Sequence, residues 1–350
     1  MRNTKRLFAV IMLMISAVLL TVFSERATEY ARDSLKVCAL CVIPSLFPYM
    51  VISRMIVTSR ACDFIGRFLP VSRLFGLPSA ASASIILGAL CGFPVGAKSA
   101  VSMYEGGLLS KTEAEVLISY SNNTGPSFVV AVIGAGLWQS ERFGWELYFF
   151  QLISAVVGAG VVNHLIFPFK RETKESNKTA LKSPELFRSV ADSTQAVLTV
   201  CGFIVFFSVV CGFLLPAVSA VSEKLSVLVC CLFEFTGGAR LAAAVGGAAG
   251  RFLTGLCVGF SGISVFCQTA AFTSPAGLSL KRTVLSKSLQ GVICGTLCVL
   301  FSQCRDTAQV GGLYEEASLL LSLDSPLKIA LLSLFCYFFV IKNELRSHKM

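Results

Sequence analysis

The sequence predicts an all-α polytopic membrane protein with about eight transmembrane helices and two re-entrant hairpins, arranged as an inverted repeat. The chain of 350 residues is 55% hydrophobic and only 14% charged, with a mean hydropathy of +0.74, whereas soluble domains carry about 25% charged residues. Many apolar runs approach the roughly 20 residues that a helix needs to cross a bilayer. Two such runs are interrupted by glycine next to a basic residue, once in each half, and paired interruptions are typical of the centre of a transporter.

The net charge of +10 does not indicate a nucleic-acid-binding protein, because the basic residues are not gathered into one domain. They stand at the ends of apolar segments, around residues 2–6, 54–73, 170–188 and 342–349. Lys and Arg at such places are typical of cytoplasmic loops. The expected location is therefore the cell (inner) membrane, with the lipid bilayer and no nucleic acid as partner.

No catalytic residue, metal site or cofactor is predicted, and the chain is not expected to be an enzyme. Most of the 14 cysteines lie in apolar runs, where they act as small apolar fillers. The Cys38–Cys41 pair has no second pair or nearby histidine to complete a zinc site. Residues 92–99 resemble a phosphate-binding loop, but alanine replaces the second glycine of that loop. A phosphate-binding loop also follows a strand in a soluble domain, whereas an apolar segment precedes this one, so nucleotide hydrolysis is not predicted.

The first elements follow from the apolar runs and the charges between them. Residues 7–23 are predicted to cross outward from the cytoplasm, and residues 24–36 to form an external loop. Residues 37–57 return to the basic stretch 54–73, which is expected to include a surface-lying helix. Residues 79–107 hold the first interruption, and a re-entrant hairpin there keeps the later loops on the correct sides of the membrane.

The first half continues with a broken span. Residues 112–138 are predicted to cross outward with an interruption at 121–126, and residues 145–168 to cross inward to the basic segment 170–188. Backbone groups at an interruption cannot be satisfied by hydrocarbon, so protein or water must shelter them. The residues assigned to the first-half interruptions are Gly92, Pro94, Gly96, Gly125 and Pro126.

The second half repeats this order from the opposite side of the membrane, which makes the arrangement an inverted repeat. Residues 191–216 cross outward, and residues 225–250 form a hairpin interrupted at 236–240. Residues 251–273 cross inward with an interruption at 259–262. The residues assigned to these interruptions are Gly237, Gly238, Gly259 and Gly262.

Two further crossings place both termini in the cytoplasm. Residues 284–301 lead to an acidic external loop, and residues 326–341 return to a basic tail. Residues 1–36 form an N-terminal helix with its loop, residues 37–169 a first repeat, and residues 170–190 a cytoplasmic linker. Residues 191–303 form a second repeat, and residues 304–350 an external loop with the last helix and tail. The alternative, a bundle of ten plain spans, leaves the paired interruptions unexplained.

Lys98 and Arg240 occupy matching places, because each follows Gly-Ala at the restart of a helix. A cation beside the free N–H groups of a helix N-terminus favours an anion. One hypothesis is therefore that both residues bind an anionic or polar ligand between the hairpin tips. The alternative, with equal support, is that each cation locks its own hairpin.

Glu234 and four uncharged polar residues complete the predicted substrate site. A carboxylate deep in an apolar run is costly, so Glu234 is expected either to couple transport to protons or sodium or, preferably, to pair with Arg240 or Lys98. The amides of Asn122 and Asn123 can satisfy the backbone at their interruption or bind a ligand. Ser264 and Gln268 take the corresponding place in the second half.

Four motifs resemble those of the YlbJ-type sporulation integral membrane proteins, a family within the nucleoside-recognition (Gate) domain group. They are Pro-Ser-Leu-Phe-Pro-Tyr at 44–49, Cys-Gly-Phe-Pro-Val-Gly-Ala-Lys at 91–98, Asn-Asn-Thr-Gly-Pro-Ser-Phe at 122–128, and Gly-Phe-Ser-Gly-Ile-Ser-Val-Phe-Cys-Gln at 259–268. The resemblance implies two Gate-like repeats, a spore-forming bacterium, the mother-cell or outer forespore membrane, and a requirement in building the spore cortex. It leaves the substrate unidentified, because a fold-level analogy does not define a ligand.

The resulting hypothesis is a transporter or permease of a small polar or anionic solute that is needed for cortex formation. The alternative is a non-transporting membrane scaffold for cortex or coat assembly, in which the polar residues serve as internal locks. Association with further copies of the chain stays open.

Overall fold

The helices of the protein follow one another with short connections. The computed structural model describes residues 17–59, 61–169 and 186–302, together with residues 10 and 14. Within these residues all regular elements are helical, and no strand occurs, which confirms the predicted all-α class. The helices are α1 (Ser24–Thr58), α2 (Ala61–Phe68), α3 (Ala81–Cys91), α4 (Val95–Glu105), α5 (Lys111–Ser121), α6 (Ser127–Leu137), α7 (Glu141–Ile166), α8 (Leu186–Ser219), α9 (Glu223–Phe233), α10 (Phe235–Val245), α11 (Gly247–Phe260), α12 (Gly262–Thr273) and α13 (Lys281–Phe301).

Five helical segments of the described chain are long and apolar enough to cross a membrane. They are α1, α7, α8, the α11–α12 pair (Gly247–Thr273) and α13. Each coincides with a predicted span, so the protein is a multi-pass membrane protein. The predicted span at 7–23 lies only partly within the described residues. The predicted span at 326–341, the acidic loop before it and most of the linker at 170–190 lie outside them.

The predicted external loop at 24–36 is wrong, because these residues are the first part of α1. Their helical winding is supported by packing against α8. The Tyr30 ring lies directly over Gly212, where a Cβ would collide with it. The rings of Phe23 and Phe213 lie 6.2 Å apart. The charged residues of this segment had indicated a loop. In the structure they lie on the exposed side of the helix, whose other side packs against α8.

The two predicted hairpin segments each contain a pair of short helices packed against each other. In the first, the Ser84 hydroxyl on α3 donates to the Gly96 carbonyl on α4 at 3.1 Å. In the second, a Cβ on Gly238 in α10 would lie 2.6 Å from the Cys231 Cα in α9. Helices of 11 residues are about 16 Å long, which is too short to cross a bilayer of about 30 Å.

Several residues assigned to interruptions instead lie inside helices. Gly96, Gly237, Gly238 and Gly259 are helical, and the second hairpin is interrupted at Glu234 rather than at 236–240. The reason for the shift is that the Glu234 side chain accepts hydrogen bonds from the first turn of α10 and starts the helix there. An additional interruption, at Gly246 and Gly247 with φ of +66° and +58°, separates α10 from α11.

Glycines spaced four residues apart in α11 and in α13 bring these helices into backbone contact. A Cβ on Gly255 would lie 2.7 Å from the Gly295 Cα, and a Cβ on Gly259 would lie 2.7 Å from the Gly291 Cα. Small residues at such positions permit close approach of helices in membranes. This glycine seam fixes α11 against α13.

Buried apolar side chains form two clusters with a boundary between them. One cluster is built mainly from α1, α3, α4, α5 and α8, and the other from α6, α7, α9, α10, α11, α12 and α13. At the boundary the Phe235 ring of α10 contacts the rings of Phe93, between α3 and α4, and Phe128 of α6. The interruptions of the hairpins and of the broken spans lie at this boundary.

Candidate functional site

Two helix interruptions of the first half touch each other. The first stands between α3 and α4, where Gly92 has a φ of +82° and the Phe93–Pro94 peptide bond is cis. The second stands between α5 and α6, over residues 122–126. A Cβ on Gly92 would lie 2.6 Å from the Gly125 nitrogen, so glycine is needed at the point of contact. The predicted positions of both interruptions are confirmed.

Two interruptions of the second half touch each other in the same way. Glu234 stands between α9 and α10, and Ser261 and Gly262 stand between α11 and α12 with φ of +72° and +81°. A Cβ on Gly262 would lie 3.4 Å from both the Phe233 carbonyl oxygen and the Phe235 nitrogen. The prediction of an interruption at 259–262 is confirmed.

The two pairs of interruptions meet around one cavity. The Phe235 ring of the second half lies 5.5 Å from the Phe93 ring and 4.9 Å from the Phe128 ring of the first half. Between them lies a cavity in which the centre of a water molecule can occupy about 70 Å³. Its lining comes from three of the interruptions, from the adjoining helices α3, α6, α10 and α12, and from α1 and α8. The polar members are Ser45, Tyr49, Thr124, Ser127, Glu234, Thr236, Ser264 and Gln268.

Glu234 lines this cavity and caps α10. Its side chain is 6% exposed, and its two carboxylate oxygens accept hydrogen bonds from the backbone N–H groups of Thr236 and Gly237. The positive end of a helix favours a carboxylate in this position. The preferred sequence prediction, an ion pair with Arg240 or Lys98, is wrong. Among the described residues no such pair lies within 4.0 Å.

Gln268 and Ser264 lie on the α12 wall of the cavity. The Gln268 amide donates to the Ser264 hydroxyl at 3.3 Å, while its oxygen Oε1 is buried and has no hydrogen-bond partner within the described chain. The Thr124 hydroxyl on the opposite wall is likewise buried and unpartnered there. Buried polar atoms are usually satisfied, so these two are available to a ligand or to water.

Asn122 and Asn123 do not line the cavity but lie directly behind it. Asn122 joins the two halves, because its amide donates to the Thr269 hydroxyl of α12 at 3.2 Å. The Asn123 amide donates to the Tyr120 carbonyl at 2.7 Å and so closes the last turn of α5. Asn123 thus bonds a backbone group at the interruption, which was one of the two roles predicted for the pair, whereas Asn122 bonds a side chain of the other half.

A buried cation reaches the same interruption from α13. Lys287 is fully buried, and its ammonium donates to the Asn123 side-chain oxygen at 3.1 Å. The Gln290 amide donates to the same oxygen at 3.1 Å. Gln151 of α7 completes the network, because its amide accepts from the Thr124 N–H and donates to the Thr124 carbonyl. The second interruption is therefore held by side chains from α7 and α13.

The sequence prediction missed Lys287, Gln290 and Gln151. A signal for the first two was available, because Thr283, Ser286, Lys287 and Gln290 follow one another at helical spacing within a predicted span. All four are buried in the structure. A polar stripe inside an apolar span marks a side that faces protein rather than lipid.

Lys98 and Arg240, the two cations of the predicted site, lie away from the cavity. The Lys98 ammonium donates to the Asp192 backbone carbonyl of α8 at 2.7 Å and lies 5.7 Å from the centre of the Phe272 ring. Asp192 in turn forms an ion pair with Arg54 of α1. Lys98 thus ties its hairpin to α8, whereas Arg240 is exposed.

Comparison with known proteins gives a curated relative that covers most of the chain. The chain is 26% identical over 318 residues to the sporulation integral membrane protein YlbJ of Bacillus subtilis (strain 168), with 79% of this chain and 78% of the relative covered. The chain is therefore similar to a YlbJ-type protein over most of its length. The family resemblance indicated by the four motifs is thereby confirmed. No protein-family model matches the chain, and no solved structure matches it significantly.

The cavity lies where the four motifs converge. Gly92, Gly125 and Ser264 line it, and they come from the motifs at 91–98, 122–128 and 259–268. The motif at 44–49 contributes Ser45, Leu46 and Tyr49 from α1. The grouping of YlbJ-type proteins with Gate domains stays a prediction.

Proposed function

We propose that this protein transports a small polar solute across the membrane during sporulation. The observation that carries the proposal is the convergence of four interrupted helices on one cavity with polar groups in an apolar wall. Interrupted helices at membrane depth persist where they line a cavity, and transporters bind substrate at such places. The proposal includes no catalysed reaction, metal or cofactor.

The matching order of elements supports an inverted repeat. In each half a pair of short helices is followed by an interrupted pair and then by a long helix: α3–α4, α5–α6 and α7 in the first, α9–α10, α11–α12 and α13 in the second. In the proposed topology the short pairs are re-entrant hairpins among eight spans, with both termini in the cytoplasm. Movement of the hairpins relative to the long helices would expose the cavity to each side in turn.

The proposed place of action is the mother-cell or outer forespore membrane, with a role in cortex formation. The printed name of the relative, a sporulation integral membrane protein, supports the developmental setting. The observed lining changes the expected solute. The cations Lys98 and Arg240 lie away from the cavity and Glu234 lies in it, so the lining does not favour an anion.

Uptake into proteoliposomes tests the proposal. The purified full-length protein would be reconstituted and offered radiolabelled polar solutes of all three charge classes, including amines, sugars and carboxylates. Ser264→Leu would fill the cavity, because Ser264 is buried in its wall. Arg240→Gln, on the exposed side of α10, is the matched control.

The expected result is uptake of at least one solute by the wild-type protein and by Arg240→Gln, and none by Ser264→Leu. If wild-type and Ser264→Leu liposomes exclude every solute alike, while both proteins fold and restore sporulation to a deletion strain, transport is excluded. A membrane scaffold would then be the supported function.

A further inference from the structure

We propose that the cavity between the four interruptions binds a small organic ammonium compound. This inference deepens the proposed function, on which it rests for the use of the site, and names the chemical class of the solute. The charge of the lining, its unpartnered acceptors, its aromatic side chains and its size all support this class.

The charge of the lining is negative. Glu234 is the charged side chain among the described residues that line the cavity. Two basic groups in the interior are used elsewhere, since the partly buried Lys98 ammonium donates to the Asp192 carbonyl and the buried Lys287 ammonium donates to Asn123. No described cation lies within 4.0 Å of the Glu234 carboxylate. A buried carboxylate is stabilised by a paired cation, which a ligand would supply.

Both unpartnered polar groups in the lining can accept hydrogen bonds, Gln268 through its amide oxygen and Thr124 through a hydroxyl that can also donate. Gln268, which is 2% exposed, presents an oxygen without a donor, and the Thr124 hydroxyl on the facing wall has no partner among the described residues. An ammonium group carries only donors. One ammonium group can therefore supply both the charge that Glu234 lacks and the donor that Gln268 lacks.

Aromatic side chains form much of the remaining wall. Tyr49, Phe93, Phe128 and Phe235 line the cavity, and the Phe235 ring contacts the rings of both Phe93 and Phe128. Aromatic rings attract organic cations, and the attraction is strongest where water is excluded. A wall of this kind suits a substituted ammonium group better than a strongly hydrated metal ion.

The size of the cavity limits the ligand. A single water molecule needs about 10–15 Å³ of the space open to its centre. The observed 70 Å³ therefore holds roughly five to seven water-sized groups. Ethanolamine and choline fall in or close to this range, whereas a nucleoside is too large for the cavity in this conformation.

Calorimetry with the purified full-length protein in detergent tests the inference. Four compounds are compared, of which the first three are similar in size. Ethanolamine is cationic, ethylene glycol is neutral, and glycolate is anionic; choline is added as a quaternary ammonium compound. We expect at least one of the two ammonium compounds to bind, and neither ethylene glycol nor glycolate to bind. We expect Glu234→Gln to weaken ammonium binding ~30-fold or more, because a buried charge loses its partner. The exposed control Glu29→Gln, which makes the same change outside the cavity lining, should change affinity less than about 2-fold.

The wild-type series decides the outcome even if Glu234→Gln fails to fold. Binding of glycolate or ethylene glycol in preference to the ammonium compounds overturns the inference, as does binding of none of the four. Ammonium binding that is equally strong in folded Glu234→Gln overturns it as well. The proposed function fails separately: if ammonium compounds bind but no solute crosses the proteoliposome membrane, the ligand class stands and transport does not. Uptake of neutral or anionic solutes alone leaves transport standing and overturns the ligand class.

Discussion

Lys287 donates a hydrogen bond to the side-chain oxygen of Asn123 at 3.1 Å and so joins residues that are 164 positions apart in the chain. The contact ties α13 to the interruption between α5 and α6, directly behind the cavity. Among the described residues no carboxylate lies within 4.0 Å of this ammonium. A buried charge without a counterion is costly, which indicates that Lys287 serves a purpose other than stability.

Lys287→Met is therefore expected to leave the free energy of unfolding unchanged or to raise it by ~1 kcal/mol or more, while uptake is lost. Methionine fills a similar volume and carries no charge to bury. Thermal unfolding in detergent and proteoliposome uptake measure the two effects. Ser288→Ala, on the exposed side of α13, is the matched control and should change neither. A large loss of stability in Lys287→Met would show that the lysine is a structural lock.

Removal of the Glu234 side chain should separate its capping role from its role in the cavity. Glu234→Ala is expected to lower stability by about 1 kcal/mol, because an N-cap is lost, and to abolish uptake. The control is Ser110→Ala, which removes the capping hydroxyl of α5. It should cost a similar amount of stability and leave uptake intact. Equal loss of uptake in both variants would mean that Glu234 acts only through the helix.

Lys98 and Arg240 are expected to behave differently despite their similar sequence settings. Lys98→Met should lower stability by ~0.5–1.5 kcal/mol, because the hydrogen bond that joins α4 to α8 is lost. Arg240→Gln should lie within about 0.5 kcal/mol of the wild type, since Arg240 is exposed. Thermal unfolding of the two variants side by side gives the comparison. Equal effects would contradict the assignment of Lys98 as the tie between α4 and α8.

The glycine seam between α11 and α13 should not tolerate a methyl group. Gly259→Ala is expected to lower stability by about 1–3 kcal/mol, because the added Cβ would meet the Gly291 backbone. Gly202→Ala in α8 is the control, since a Cβ there meets nothing within 4 Å. It should be neutral or stabilising by up to ~1 kcal/mol, because alanine favours helix more than glycine does. A neutral Gly259→Ala would show that the helices are less closely packed.

Much of the helical architecture could be predicted from the sequence, because membrane spans leave long apolar runs and interruptions leave glycine and proline. The interruptions at Gly92, Gly125 and Gly262 were found in this way. The helical structure of residues 24–36 was not predicted, because charged residues of this kind are typical of a loop. Only the packing of Tyr30 on Gly212 reveals that the segment is helical.

The candidate site could be predicted only in part. Glu234, Ser264 and Gln268 were identified because a polar side chain in an apolar run is conspicuous, and they do line the cavity. Lys98 was placed beside them because its sequence setting matches that of Arg240. The sequence gives no direct sign that the Asp192 carbonyl, 94 positions away, takes up its ammonium. Long-range pairing of this kind depends on the three-dimensional packing of α4 and α8.

The glycine seam also restricts which parts of the protein can move. Sliding of two helices in such close contact would be restricted, because each contact point needs a glycine opposite the other backbone. We therefore expect α11 and α13 to behave as one rigid unit. Phe93, Phe128 and Phe235, by contrast, meet through rings, and rings can glide over one another without breaking hydrogen bonds. An opening of the cavity would begin at these three phenylalanines, while α11 and α13 keep their positions relative to each other.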